Sequence, residues 1–211
     1  MKARMPDARE LTLGIAGLSN MSHGTAKTGI ESIGKGTRVR RDGKIVSAKK
    51  TPRREIDFGH GAKPSIAVGW GDVSTAWHST KIPDITVYFE SNPQFEQMAK
   101  MGRATRWLMS RGFMQRALKK RIEQQPEGPS DAERAEGYAI LYGEAVGPDG
   151  ERVQSRLTTP EGYTLTAMTG LAIVRRVPAG EAKPGYQTPS AAFGPDFIAE
   201  FEGCSYQDPN S

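Results

Sequence analysis

Gly69-Trp70-Gly71-Asp72-Val73-Ser74 is the stretch on which the fold class turns. It follows an apolar run and has the G-x-G-x-x spacing of a loop that lets backbone approach a pyrophosphate at a helix start. Two details count against that reading. Serine stands where the third glycine belongs, and Pro83 leaves room for a helix of only about eight residues, short for a crossover between parallel strands. The expected element over 72–78 is therefore a short helix between strands, with no nucleotide held at its start.

Working outward, residues 85–90 (Ile-Thr-Val-Tyr-Phe-Glu) are β-branched and aromatic and predict a strand. Upstream, strands are expected over 54–58 and 65–70, separated by the glycines and proline of 59–64. The Asp42-Gly43 pair predicts a tight hairpin over 37–46. Near the start, residues 10–16 alternate with a period of two, as a strand does, and lead to Ser22, an expected N-cap for a helix over 23–32 ended by Gly34. Downstream, 94–122 reads as helical and divided at Gly102 and Gly112. Ser130-Asp131-Ala132-Glu133 is a capping box. Residues 138–146 and 151–157 form a second hairpin. Thr159-Pro160-Glu161 reads as a helix start with Thr159 as cap and Pro160 in the first turn. Phe193, Phe197, Ile198 and Phe201 mark a short docked helix, followed by a frayed tail from about 204. Hairpins without regular βαβ alternation predict one α+β domain over 1–211, a largely antiparallel mixed sheet with helices on one face.

The 211 residues suffice for a buried core, and no apolar run reaches the roughly 18 residues of a membrane span. Cys204 is the sole cysteine, which excludes an internal disulfide and a cysteine-built zinc cage, and a reducing cytoplasmic setting is the expectation. The three histidines lack metal-site spacing, so no metal is expected. The net charge of +5 is concentrated in 35–54 and 100–121. Such clusters suit a solvated face or an anionic membrane surface. Nucleic acid is not expected, because no zinc-finger, RNP or heptad pattern accompanies the charge.

The candidate substrate-binding residues fall in three places. Ser22-His23-Gly24-Thr25 lies at a strand-to-helix transition, where free N–H groups and two hydroxyls suit an anion as well as an ordinary cap. Trp70, Asp72, Thr75 and His78 bring an indole, an acid, a hydroxyl and an imidazole into one short stretch. Asp72 and His78 are six apart and do not share a helix face, so capping and structural roles stand beside a functional one. Tyr163 is a phenol at a helix start that capping leaves unexplained. No paired acid and base emerges, so the catalytic residues stay unassigned.

Several stretches recur in an ordered series: Ser22-His23-Gly24-Thr25-Ala26, Val39-Arg40-Arg41-Asp42-Gly43-Lys44, Arg54-Glu55-Ile56-Asp57-Phe58-Gly59, and Trp70-Gly71-Asp72-Val73-Ser74-Thr75-Ala76. They continue with His78-Ser79-Thr80-Lys81-Ile82-Pro83-Asp84-Ile85, Thr159-Pro160-Glu161-Gly162-Tyr163 and Gly185-Tyr186-Gln187-Thr188-Pro189-Ser190. Together they resemble the carboxy-terminal part of saccharopine-dehydrogenase-like proteins, a group that includes trans-acting enoyl reductases. The resemblance implies an NAD(P)-dependent oxidoreductase whose amino-terminal Rossmann domain carries the nucleotide loop, while an α+β domain shapes the substrate pocket. This chain resembles only that second part, so it is expected to bind no cofactor and to be inactive alone. The implied partner is the Rossmann domain or a protein supplying it, with a homodimer also open, and an exposed apolar patch is expected where that partner would sit. Saccharopine, another amino-acid adduct and a lipid-like enoyl compound all fit the resemblance as substrates.

Overall fold

The computed structural model describes residues 1–18 and 20–207. At its centre two strands run parallel, β1 (Glu10–Ala16) and β6 (Asp84–Glu90), with Leu11 opposite Ile85 and Ile15 opposite Phe89. Antiparallel neighbours extend the sheet. Beyond β1 lie β7 (Tyr138–Val146), β8 (Arg152–Pro160) and β9 (Ser205–Gln207). The far edge of β6 is shared: β2 (Arg38–Arg41), paired with β3 (Lys44–Ser47), meets it at Ile85, and β5 (Ala62–Ala67), paired with β4 (Arg53–Asp57), meets it at 88–90. The sheet is mixed and mostly antiparallel, as the hairpin-rich sequence predicts.

Alternation decides what covers each face. Leu11, Ile85 and Ala145 point to the side covered by α2 (Asp72–Thr80), where they pack with Ile82 and the half-buried Trp77, while Val73 of α2 meets Val87 and Phe89. The opposite face holds Ala16, Tyr88, Ile140 and Tyr142, closed by Ile56 and Phe58 from β4 and the turn after it. Gly14 is required there, because a Cβ would lie 3.1 Å from Phe58 and from Tyr142. Next to this apolar layer sits a polar one. Glu144 is buried and accepts hydrogen bonds from Arg54, Tyr142, Arg152 and Gln154.

The remaining helices lie around the sheet: α1 (His23–Ser32), α3 (Pro93–Lys100), α4 (Arg103–Met109), α5 (Gly112–Glu123), α6 (Asp131–Glu136), α7 (Gly162–Arg176) and α8 (Pro189–Phe193). α1 and α5 are bridged by Lys27–Glu123 and Lys119–Glu31 ion pairs. The local signals act as chemistry dictates. Asp42 and Gly43 both take positive φ in the β2–β3 turn. Ser130 and Glu133 form the reciprocal capping box, and Asn92 caps α3.

Four boundaries differ from expectation, each for a physical reason. Thr159 and Pro160 do not start α7; they finish β8, with Thr159 buried opposite Ala139 and Pro160 opposite Tyr138. The cap of α7 is Glu161, whose carboxylate accepts from the N–H groups of Tyr163 and Thr164. Asp72 is likewise the first residue of α2, after Gly71, and does not cap it. β5 covers 62–67, ending earlier than expected, because the ladder gives out after the Val68 N–H to Val87 carbonyl bond and the Trp70 N–H turns back onto the Val68 carbonyl. The tail is not frayed as far as 207: residues 205–207 pair with 156–158, while 208–211 lie outside the described residues.

Candidate functional site

Because β1 and β6 are parallel, their carboxyl ends open on the same edge of the sheet, and the chain leaves both ends into helices. Crevices at such ends are where α/β sheets commonly hold ligands. Here the opening is a cleft of about 710 Å³. One wall is α1 with its C-cap: Thr25, Ala26, Gly29 and Ile30 of the helix and Ile33 just after it recur at helical spacing. The floor is formed by Ile66, Val68 and Phe89 near the ends of β5 and β6. α3 supplies Phe95 and Met98 to the opposite wall, and the 35–38 turn into β2 closes one end.

The chemistry of this lining is lopsided. Its surface is mainly aliphatic and aromatic; among the described residues its charged members are Lys35, Arg38 and Arg106, and no aspartate or glutamate lines it. Arg106 is held at the rim by the carbonyls of Met98 and Ala99 at the carboxyl end of α3, both at 3.4 Å, where a cation is also favoured by the helix dipole. Among the described residues Arg38 has no ion pair, and Lys35 feels Glu31 only at Coulombic range. Thr37 and Thr51 share a hydroxyl–hydroxyl bond of 3.0 Å. Among the described residues the lining also lacks histidine and tyrosine, so Lys35 is the one titratable group there besides the two arginines.

Of the nine residues singled out from the sequence, Thr25 and Trp70 line this cleft. Trp70 stands edge-on to Phe89 with ring centroids 5.1 Å apart. Ser22, Thr25 and Tyr163 are brought together although Tyr163 is 141 positions from Ser22 and 138 from Thr25. The Ser22 N–H donates to the Tyr163 phenol oxygen at 2.7 Å, and the Thr25 hydroxyl lies 3.3 Å from that oxygen. Ser22 Oγ accepts from the Thr25 N–H at 3.3 Å, the expected cap. Burial alone would raise the Tyr163 pKa, but the hydrogen bonds from Ser22 and Thr25 outweigh it and leave the phenol below its ordinary value. The phenol therefore takes up the Ser22 N–H that an anion at this transition would use.

The other candidates point elsewhere. His23 Nε2 lies 2.9 Å from the Gln125 carbonyl oxygen, and a Cβ on Gly24 would make only an ordinary contact, 3.9 Å from Ser22 Oγ. Asp72 and Thr75 bond each other at 3.4 Å; burial raises the Asp72 pKa despite that bond. His78 stacks edge-on against Tyr186 at 4.9 Å, and the neighbouring Ser79 hydroxyl meets Thr188 at 2.7 Å, which fastens the 186–188 segment to α2. Arg38, Lys35 and Arg106 were legible only as members of two basic clusters, since nothing local marks which cations of a cluster face inward.

The glycine loop has a structural purpose. A Cβ on Gly69 would lie 2.9 Å from the backbone nitrogen of Arg38, so its close approach is spent on β2. The helix that follows joins β5 to β6, which are antiparallel, and places a carboxylate, Asp72, in its first turn. The backbone beside Gly69 is taken while Gly71 faces open space, and the Asp72 carboxylate at the helix start has the wrong sign for a pyrophosphate. The described residues also hold no group of three or more metal-ligating side chains. No helix among them is long and apolar enough to cross a membrane.

No protein-family model matches the chain, and no curated protein matches it in sequence. Among solved structures, apo histidine-tagged saccharopine dehydrogenase (L-Glu forming) from Saccharomyces cerevisiae aligns with a TM-score of 0.47 at 10% identity, over 95% of this chain and 67% of that one.

Proposed function

We propose that this chain is the substrate-side part of an NAD(P)-dependent oxidoreductase and that its cleft takes an apolar molecule bearing an anionic group. The observation that carries the second half is the lining itself: aliphatic and aromatic walls with, among the described residues, three cations and no carboxylate, in a volume suited to a small molecule. Amino-acid adducts carry ammonium groups that need an acceptor carboxylate when desolvated. A lipid-like acyl or enoyl compound needs only apolar contact and a cation for its head, so it is the favoured substrate class. Arg38 would hold the head, Trp70 and Phe89 would line the chain, and Thr25 would offer a hydroxyl.

The oxidoreductase half rests on the ordered series of stretches from Ser22 to Ser190. Since Gly69–Ser74 does not suit a pyrophosphate, the nicotinamide cofactor is assigned to another domain or protein. The surface offered to that partner is the row Leu171, Val174 and Val177 on and just after α7, all exposed.

Isothermal titration calorimetry tests the reading. Dodecanoate should bind, dodecanol and glutamate should bind much more weakly, and Arg38→Ala should weaken dodecanoate about tenfold, as loss of one charge-assisted contact does. Equal binding of glutamate and dodecanoate, or no effect of Arg38→Ala, would refute the substrate class. Micromolar binding of NADPH by this chain alone would refute the assignment of the cofactor to a partner.

A further inference from the structure

The basic run that includes α4 and α5 has a second property that its cleft-facing residues do not use. Between Glu96 and Glu123 there are eight lysines and arginines and no acidic residue. On the outer side of these helices stand large apolar side chains that a folded chain ordinarily hides: Trp107 and Phe113 are each 58% exposed, and Leu108 beside them is 42% exposed. The Arg111 guanidinium lies 3.9 Å from the centroid of the Trp107 ring, which fixes the indole in an outward position. On α5, Phe113, Arg116, Ala117 and Lys120 share one face at helical spacing, and all four are exposed. The inward side of α5 is engaged with α1 through Lys119–Glu31 and Lys27–Glu123; Lys120 feels Glu123 only at Coulombic range, without a salt bridge, and Arg116 has no ion pair among the described residues.

We propose that this α4–α5 corner docks on an anionic lipid bilayer, with Trp107, Leu108 and Phe113 entering the headgroup region and Arg111, Arg116 and Lys120 facing lipid phosphates. Interleaved aromatics and cations are what a surface-lying element presents to a membrane: apolar rings reach the acyl boundary while charges remain among anionic headgroups. A nucleic acid would engage the cations but leave Leu108 without use, and a bare protein interface would not call for an unbroken run of one charge sign. The corner also adjoins the cleft. Arg106, next to Trp107 in α4, lines it, as do Met98 and Met101 on the segment that leads to α4. A lipid leaving the bilayer at this corner would meet the cleft rim first. The membrane docking itself does not depend on the oxidoreductase reading.

Vesicle co-sedimentation of the full chain tests it, using phosphatidylcholine alone and phosphatidylcholine with phosphatidylglycerol, at low and high salt. Binding is expected to the anionic vesicles only and to weaken with salt. Arg116→Glu with Lys120→Glu should reduce it at least about 25-fold, since each surface cation near anionic lipid contributes roughly a factor of five. Trp107→Ser with Phe113→Ser should also reduce it and should abolish the blue shift of tryptophan emission on binding. Lys49→Glu with Lys50→Glu makes the same change of net charge at two exposed lysines between β3 and β4 and should leave most binding intact. Arg38→Ala, which tests the cleft, should not alter it. Equal binding to neutral vesicles, equal loss with the Lys49 and Lys50 reversals, or a dimer in sedimentation velocity that the Trp107 and Phe113 changes dissociate would each overturn the proposal. So would salt-sensitive binding of duplex DNA with no binding to anionic vesicles.

Discussion

Replacing Glu144 by glutamine removes one charge from the polar layer of the sheet and keeps the side-chain shape. Glu144 is 1% exposed, and its two oxygens meet Arg54 at 2.8 and 2.9 Å, Gln154 at 2.8 Å, and Tyr142 and Arg152 at 3.0 Å each. Burial would raise its pKa, but the hydrogen bonds from Arg54 and Gln154, the Arg54 charge and the Tyr142 hydroxyl together hold it at about 2, against an ordinary 4.5. Between those two values the unfolded chain binds the proton that the folded chain refuses, so stability rises with pH across that window. The stabilisation is complete above about 4.5 and lost as pH falls through about 2; a shift of this size corresponds to roughly 3 kcal/mol. Glu144→Gln should therefore cost about 3 kcal/mol at neutral pH, part of it from leaving Arg54 without its counter-charge. That is a large share of the roughly 5–15 kcal/mol typical of a domain. Urea unfolding of both proteins, followed by tryptophan fluorescence at matched ionic strength from about pH 7 to pH 3, measures the difference. It should shrink steadily below about pH 4.5. A difference under about 1 kcal/mol at neutral pH, or one that does not change with pH, would refute the assignment of this carboxylate as a buried, ionised anchor.

Four further outcomes are expected. Tyr163→Phe removes the acceptor of the Ser22 N–H and should lower stability by about 1–2 kcal/mol in thermal unfolding, with no change in the far-ultraviolet circular dichroism of the native state. Glu161→Ala deprives the Tyr163 and Thr164 N–H groups of their cap and should cost about 1–2 kcal/mol, whereas Thr159→Ser, which keeps a hydroxyl but takes a methyl from a buried site, should cost about 1 kcal/mol through packing and not through capping. Gly17→Ala places a Cβ 2.6 Å from the Tyr138 carbonyl oxygen at a positive φ of 74°, so chemical denaturation should show a loss of about 2 kcal/mol or more.

Cause and range explain which features could be read without coordinates. The caps at Ser22 and Ser130, the Asp42-Gly43 turn and the division of the basic helices at Gly102 and Gly112 each involve groups within about four residues, so composition alone specifies them. The helix start after Thr159-Pro160-Glu161 was misassigned by two residues for a related reason. All three residue types suit a helix start, and only pairing of Thr159 and Pro160 with Ala139 and Tyr138 keeps them in the strand.

What the sequence determined by itself was the α+β class, most of its elements and the absence of a full-length helix behind Gly69–Ser74. Tertiary structure alone decided that β1 and β6 lie parallel, that Tyr163 reaches Ser22 across 141 positions, and that Arg54 meets Glu144 across 90. It also chose Arg38 and Arg106 from among many cations to face an apolar cleft. Hydrophobic burial and ion pairing depend on distance in space, and residues far apart along the chain carry no local mark of which partner folding will bring to them.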